Sequence, residues 1–374
     1  MKLDKVHIQH LRNLDAVSLH PSSEINIIYG ANGSGKSSIL EAIHYLGFGR
    51  SFRTSKHKNV VNYDADEFSV FCTLDTLEQV KKIGLQRFKD DNVKISIDGE
   101  HSNRLSDLVS QIPVQIFTPQ SSDLLLGAPS SRRRFLDWGL FHVEQSYAGL
   151  SNTFLKILKQ KNALLRKHQS ISSGKMSGKH NEELIREEVY WDGQFLHYAE
   201  LIDALREAYI ESIKPHFYAN LTQLLPEFSP EISYYRGWER SSDLRSSFEA
   251  KRVRNRSFGY VSVGPHKADI KIRLKGVDAA EVLSRGQLRM LVAALQLAQI
   301  NHLNEKVGKT CVFLLDDIGA ELDLGKREKF INNIIANDAQ LFVTAIEKQQ
   351  IPFISNYDNK KMFHVEHGHV KEEI

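Results

Sequence analysis

Three short stretches bring together residue types that handle phosphate. "GANGSGKSS" (Gly30, Ala31, Asn32, Gly33, Ser34, Gly35, Lys36, Ser37 and Ser38) is glycine-rich and ends in a lysine beside hydroxyls. Glycines let backbone N–H groups converge on phosphate oxygens that a Cβ would hold off. Lys36 reaches the β- and γ-phosphates as a cation, and the Ser37 hydroxyl can ligate Mg²⁺. "VFLLDD" closes an apolar run with Asp316 and Asp317. A buried strand ending in a carboxylate sets Asp316 beside the Mg²⁺, and Asp317 next to it is placed to polarise an attacking water. "LSRGQ", Leu283 to Gln287, opens a helix shortly before that strand. Its Ser284 and Gly286 offer a hydroxyl and exposed backbone N–H groups, a second anion site. Each of the last two also has a plain reading, as an acidic pair or a serine capping an ordinary helix. Their order around the glycine-rich loop favours ATP and Mg²⁺ chemistry.

A phosphate loop works only between a strand that delivers it and a helix that points its positive end at the anion. "EINIIYG" before it and "SSILEAI" after it supply both patterns. Residues 1–125 are otherwise strand-rich: "FSVFCTLD", "VKKIGLQRF" and "VKISIDGEH" alternate apolar residues, the last around an Asp-Gly turn, and "IPVQIFTP" reads as a short buried strand. Residues 126–258 carry helical spacing, as at Ile185, Val189, Leu196, Ile202, Leu205, Tyr209 and Ile213. Within them "SISSGKMSGKHN" reads as the loop tip joining two antiparallel helices. From 259 to 374 strands return at "FGYVSVGPHKADIKIRLKG" and then alternate with helices, ending in the hairpin "KMFHVEHGHVKE". The predicted fold class is α/β: a mixed sheet with the phosphate loop, built from residues 1–125 and 259–374, plus a helical second lobe with a short antiparallel arm.

Composition narrows the class. The 374 residues are 41% hydrophobic and 25% charged, ordinary for a globular chain, and no run approaches the ~18 apolar residues of a membrane span. Membrane partners are therefore not expected, and the chain reads as cytoplasmic. Cys72 and Cys311 lie in apolar strand patterns, which predicts buried free thiols. A net charge of +3 does not by itself demand nucleic acid.

The order of these motifs resembles the ABC-type ATPases, in which the signature segment of one subunit completes the ATP site of another. "GAELD" is similar to that family's D-loop and implies that Asp323 faces the dimer partner. Gln120 in "FTPQSSD" sits where the family's Q-loop residue couples the γ-phosphate and Mg²⁺ to the helical region. Thr344 occupies the slot of the transporters' switch histidine, and Asp317 stands where a glutamate base is usual, which together imply slow turnover. The strand carrying Arg12 and Asn13 ahead of the loop resembles the chromosome-maintenance branch, where such a pair lies near the nucleotide. "SRRRFLDWGLFH", "GPHKADI" and "LSRGQLRMLVAALQLAQ" followed by "LLDDIGAELD" resemble the RecF family within it. That resemblance implies an ATP-dependent homodimer that binds duplex DNA near single-strand gaps and hydrolyses ATP slowly. It also implies partnership with RecR and RecO-type mediators in loading a recombinase.

Three basic clusters could meet DNA phosphates without reading sequence: Arg132, Arg133 and Arg134; Lys251, Arg252, Arg254 and Arg256; and Arg53, Lys56 and Lys58. Equally, each could be a solvated face, and the first could pin structural elements through carboxylates. His364, His367 and His369 allow a metal reading, but alternation around His-Gly fits a hairpin edge. His266 and Lys267 after Pro265 face a ligand or simply hold a turn. Trp138 and Trp191 read as helical core anchors. A small-molecule kinase would use the Lys36 loop yet leave "LSRGQ" and "GAELD" without a role. A chromosome-organising protein without a repair role remains the other alternative.

Overall fold

Alternation shapes the N-terminal strands. A computed structural model of the chain describes residues 1–76, 79–172, 181–321 and 323–373. Strand β1 (Lys2–Leu11) buries Leu3, Val6 and Ile8, and a bulge between Leu3 and Lys5 keeps that apolar set on one face. It pairs antiparallel with β2 (Leu14–Leu19) and β4 (Glu67–Asp75). Strands β5 (Val80–Phe88), β6 (Val93–Ile97) and β7 (Glu100–Ser102) continue an antiparallel sheet ordered β2-β1-β4-β5-β6-β7. The expected turn is Asp98–Gly99, with φ of 51° and 90° between β6 and β7.

The second sheet assembles chain segments far apart in sequence. Strands β3 (Ile25–Tyr29), β8 (Val114–Phe117), β12 (Val312–Leu315), β13 (Gln340–Ala345), β14 (Lys360–Glu366) and β15 (His369–Glu373) lie in the order β15-β14-β3-β13-β12-β8. All neighbours are parallel except the hairpin β14–β15. Strands β3, β12 and β13 are buried throughout, which is why they read as mostly apolar runs, with Asn26, Gln340 and Thr344 as their buried polar members. Helix α1 (Lys36–Phe48) is buried from Ser38 to Gly47 and shares one core with side chains of both sheets, Ile8 and Phe68 of the first and Leu314 and Phe342 of the second among them. Cys72 and Cys311 are buried free thiols whose pKa burial pushes up. Among the described residues no helix is long and apolar enough to cross a membrane.

The chain divides into two compact units: Met1–Ser122, His216–Glu227 and Ser284–Ile374 form the first, and Asp123–Pro215 with Phe228–Leu283 the second. The first is the α/β head, and it also holds α10 (Arg285–Val307) and α12 (Leu324–Ala336). The second is largely helical, with α4 (Pro129–Val143), α5 (Tyr147–Ser172), α7 (Leu244–Ala250), α8 (Arg252–Phe258) and most of α6 (Asn181–Leu224). Its small antiparallel sheet is β11-β10-β9, from β9 (Glu231–Tyr235), β10 (Asp269–Leu274) and β11 (Val277–Asp278). The remaining short helices are α2 (Leu105–Val109), α3 (Asp123–Leu126), α9 (Ala279–Val282) and α11 (Ile318–Glu321). The helical unit thus reaches 283 rather than 258, because β10 pairs with β9 and not with the head sheets. "FGYVSV" is not a strand: Gly259, left-handed at φ 71°, ends α8 there. Most of the proposed loop tip, residues 173–180, lies outside the described residues.

Candidate nucleotide-binding site

Strand β3 delivers the chain to Gly30 at the sheet's edge of reach, and α1 begins six residues later at Lys36. Gly35 caps that helix at φ 121°, where a Cβ would come within 2.9 Å of Leu14 and 3.1 Å of the Asn13 amide. The Lys36 ammonium donates to the carbonyls of Gly30 at 2.7 Å and Ala31 at 2.9 Å. Burial lowers its pKa, against the pull of Asp317 and Asp316. An incoming phosphate offers that cation a charged acceptor in place of two neutral ones.

Parallel pairing of β12 with β13, Leu315 beside Val343, brings Thr344 next to the acidic pair. Asp316 Oδ1 accepts from Ser37 Oγ and from Thr344 Oγ1, each at 2.9 Å. The Asp317 N–H donates to Thr344 Oγ1 at 2.8 Å, which holds Asp317 at φ 52°. Thr344 is therefore a buried buttress for the Asp316 carboxylate and the Asp317 backbone. Ser37 and Asp316 present an oxygen pair that suits Mg²⁺. Among the described residues no group of three histidines, cysteines or carboxylates could hold a metal, so phosphate and water oxygens must complete such a shell.

Arg12 and Asn13 sit against the loop and its helix. Arg12 Nε and Nη2 donate to the two oxygens of Glu41 at 2.9 Å each, and Nη1 donates to the Asn59 carbonyl at 2.6 Å. That fork raises the Arg12 pKa. Asn13 Nδ2 donates to the carbonyls of Ser34 (3.1 Å) and Gly33 (3.3 Å), while its Oδ1 accepts from Ser38 Oγ at 3.0 Å.

These groups line a cavity of about 1090 Å³. Arg12, Asn13, Asn32, Gly33, Gly35, Lys36, Ser37, Ser38, Asp316 and Asp317 lie on its wall. Sequence reasoning missed Asn59, Val61, Tyr63, Lys89 and Ile346 in the same wall, and it assigned Arg53 and Lys58 only to DNA. It also missed Glu41, fully buried, which accepts from Ser51 Oγ besides Arg12 and lies 3.9 Å from Arg53. A carboxylate inside the apolar pattern of α1 was the available signal. Ala31, Asn32, Gly33 and Ser34 line a second, smaller cavity shared with the β14–β15 hairpin. Gln120 is exposed and absent from either wall; its N–H donates to Thr118 Oγ1 at 3.2 Å in the turn after β8.

In the signature segment the structure shows the serine-cap reading. Ser284 caps α10: its Oγ accepts from the Gln287 N–H at 3.4 Å, and Gln287 Oε1 accepts from the Ser284 N–H at 2.8 Å. Ser284 is nevertheless exposed, and a Cβ on Gly286 would meet nothing within 4 Å. Among the described residues no contact calls for glycine there. Asp323 caps α12 by accepting from the Lys326 N–H at 2.9 Å, which lowers its pKa, and it is exposed.

The basic clusters divide sharply. Arg132 forms a fork with buried Asp269 (2.6 and 3.1 Å) and donates to three carbonyls, and Arg133 donates to the Ala268 carbonyl at 2.8 Å. Arg252 pairs with Glu249 and Asp192, and Arg256 with Glu188. Burial pushes the Glu188 carboxyl up, but hydrogen bonds and charge from Arg256 and Lys161 hold it at about 2. Arg134 and Arg254 are exposed, the former donating to Ser131 Oγ and the latter over the Phe258 ring. Lys56 and Lys58 are exposed on the head. His266 is the turn-holding reading: burial lowers its pKa to about 4, and its Nε2 bonds the Val261 carbonyl at 2.8 Å. Trp138 is a buried anchor, and the C-terminal histidines lie on the hairpin β14–β15.

A phosphate loop between strand and helix, an oxygen-lined acidic strand end and a capped signature helix on one α/β head define a P-loop ATPase fold of the ABC type. The description "RecF/RecN/SMC N terminal domain" matches residues 2–371. The chain is 54% identical over its whole length, and the relative's, to the DNA replication and repair protein RecF of Pseudoalteromonas atlantica. It is 39% identical to that of Shewanella oneidensis over 99% of each chain. A solved structure of the recombination mediator protein RecF with ATP, from the RecFOR pathway, superposes with TM-score 0.86 at 26% identity, covering 100% of this chain and 98% of that one. The chain belongs to the RecF family.

Proposed function

We propose that the chain is an ATP-closed clamp on DNA. Membership of the RecF family makes it an ATP-dependent DNA-binding protein of recombinational repair. The loop from Gly30 to Ser38 takes the phosphates of ATP, with Lys36 turning from the Gly30 and Ala31 carbonyls to the γ-phosphate. Ser37 and Asp316 hold Mg²⁺, which when bound neutralises charge between the last two phosphates. Asp317, fixed by Thr344, orients the water that ends the ATP-bound state, so slow hydrolysis acts as a timer.

The observation that carries the dimer is the open flank of Gly286 beside exposed Ser284. A glycine with empty space around it at a helix start admits a foreign backbone or phosphate, and a second protomer's triphosphate is that ligand. Asp323 then faces the partner. ATP promotes pairing only by binding the dimer more tightly than the monomer. Of the basic residues, Arg134, Arg254, Lys56 and Lys58 carry charge not committed to buried carboxylates, and they contact duplex phosphates near gaps. RecO and RecR-type mediators complete the loading machinery.

Sedimentation with ATPγS, Mg²⁺ and gapped duplex tests the clamp. Ser284→Arg is expected to bind nucleotide as the parent does and to stay monomeric. Dimers of undiminished stability in that variant would overturn the shared site.

A further inference from the structure

The C-terminal hairpin touches the phosphate loop in a way that its sequence position, more than three hundred residues away, gives no reason to expect. Strand β14 runs parallel to β3 with His364 beside Tyr29, the residue before Gly30. There, a Cβ on Gly30 would fall 2.2 Å from the Val365 carbonyl oxygen. Three residues on, in the turn of the hairpin, the Gly368 N–H donates to the Ser34 carbonyl at 2.8 Å. A Cβ on Gly368 would fall 2.2 Å from the Asn13 carbonyl oxygen. Asn13 in turn donates to Ser34 and Gly33 and accepts from Ser38. Three backbones thus meet: the turn at Arg12–Asn13, whose Asn13 side chain bridges to the loop, the loop itself, and the turn at His367–Gly368, which reaches both through backbone alone.

We infer that Gly368 is a positioning residue for nucleotide binding, and that the hairpin turn is the third wall of the phosphate loop. The loop's N–H groups must converge on one set of oxygens. A loop of small residues has little packing of its own to hold that shape, and glycine is the most flexible of residues. The hairpin fixes it at two points, its start through β14 and its middle through Ser34. The turn can approach this closely only because position 368 lacks a Cβ and sits at φ 79° after His367 at φ 47°.

The inference rests on the nucleotide reading of the loop, and a matched control separates the two. Asp98–Gly99 is a turn of the same geometry, φ 51° and 90°, on the same unit, with nothing within 4 Å of a Cβ on Gly99. Gly99→Ala and Gly368→Ala therefore share the strain of alanine at positive φ. Only Gly368→Ala pushes Asn13 and so disturbs the Gly368 N–H bond to Ser34. Titration with ATPγS and Mg²⁺ is expected to show affinity reduced on the order of tenfold or more in Gly368→Ala, the scale of a lost charged hydrogen bond, and unchanged in Gly99→Ala. Without nucleotide, both melting temperatures should fall, that of Gly368→Ala further because its Cβ also meets the Asn13 carbonyl. Equal affinity in both variants, or equal loss in both, overturns the positioning role; no binding by the parent chain overturns the nucleotide reading instead. Should Gly368→Ala fail to fold, hydrogen exchange on the parent protein decides. ATPγS should slow exchange of the Gly368 amide, which donates to the loop, while leaving Gly99 unchanged. Unaltered exchange at Gly368 on saturation refutes the inference.

Discussion

The Arg12–Glu41 fork offers the most demanding test of how the site is held. Glu41 is fully buried and Arg12 is 23% exposed, and two hydrogen bonds of 2.9 Å join them. Removing one member of a buried pair costs ~3–5 kcal/mol, because the other is left desolvated and unmatched. Arg12→Ala leaves Glu41 with Ser51 and with Arg53 at 3.9 Å, partial compensation that brings the expected loss to about 2–3 kcal/mol. Glu41→Ala leaves a guanidinium bonded to the Asn59 carbonyl and partly open to water, with a loss of about 2–3 kcal/mol. The double variant lacks both charges, so its loss should fall short of the sum by roughly 2 kcal/mol. Tryptophan fluorescence cannot report this, since Trp138, Trp191 and Trp238 all belong to the helical unit. Native-state hydrogen exchange in α1 measures the opening free energy of the head directly. Additivity of the two single losses within about 0.5 kcal/mol would refute the reasoning, because independent groups behave that way.

Two further outcomes follow from charges in the helical unit. Burial raises the Asp203 carboxyl to about 6, so the folded unit binds this proton more tightly than the unfolded chain and loses stability as pH rises from about 4 to 6. Asp203→Asn is neutral throughout and should gain about 2–3 kcal/mol on the parent between pH 4 and pH 7.5, read by tryptophan fluorescence in urea; parallel pH profiles would count against it. Arg254→Ala should weaken duplex binding and shallow the salt dependence of log K by about one, measured by fluorescence anisotropy. Arg256→Ala, which strips buried Glu188 of its 2.7 Å partner, should instead lower the unit's melting temperature with the salt slope intact. A reversed pattern would show that the ion-paired arginine is the DNA contact.

The proposed nucleotide cradle was legible as a strand–loop–helix unit because its parts are local. A strand, a glycine turn, a lysine and a helix start occupy Ile25 to Ser38 without interruption, and chain geometry alone aims them. The acidic strand end and the capped helix at Ser284 are local in the same sense. The basic clusters were not, because a run of arginines has the same composition whether its charges face water or carboxylates. Asp269 lies 137 residues from Arg132, and Glu188 lies 68 from Arg256. The boundary at 258 moved to 283 for a similar reason: strand pairing partners are chosen by the fold, and β10 chose β9.

Sequence by itself determined the motifs and their local conformation, since backbone conformation within a few residues follows from glycine, apolar periodicity and caps. Tertiary structure alone decided what surrounds them. Glu41 beneath Arg12, Thr344 behind the acidic pair and Gly368 against Ser34 are joined by sheet register and helix burial across up to 334 residues of chain. Those pairings lower the free energy only once the whole core has formed, so no window of sequence contains them.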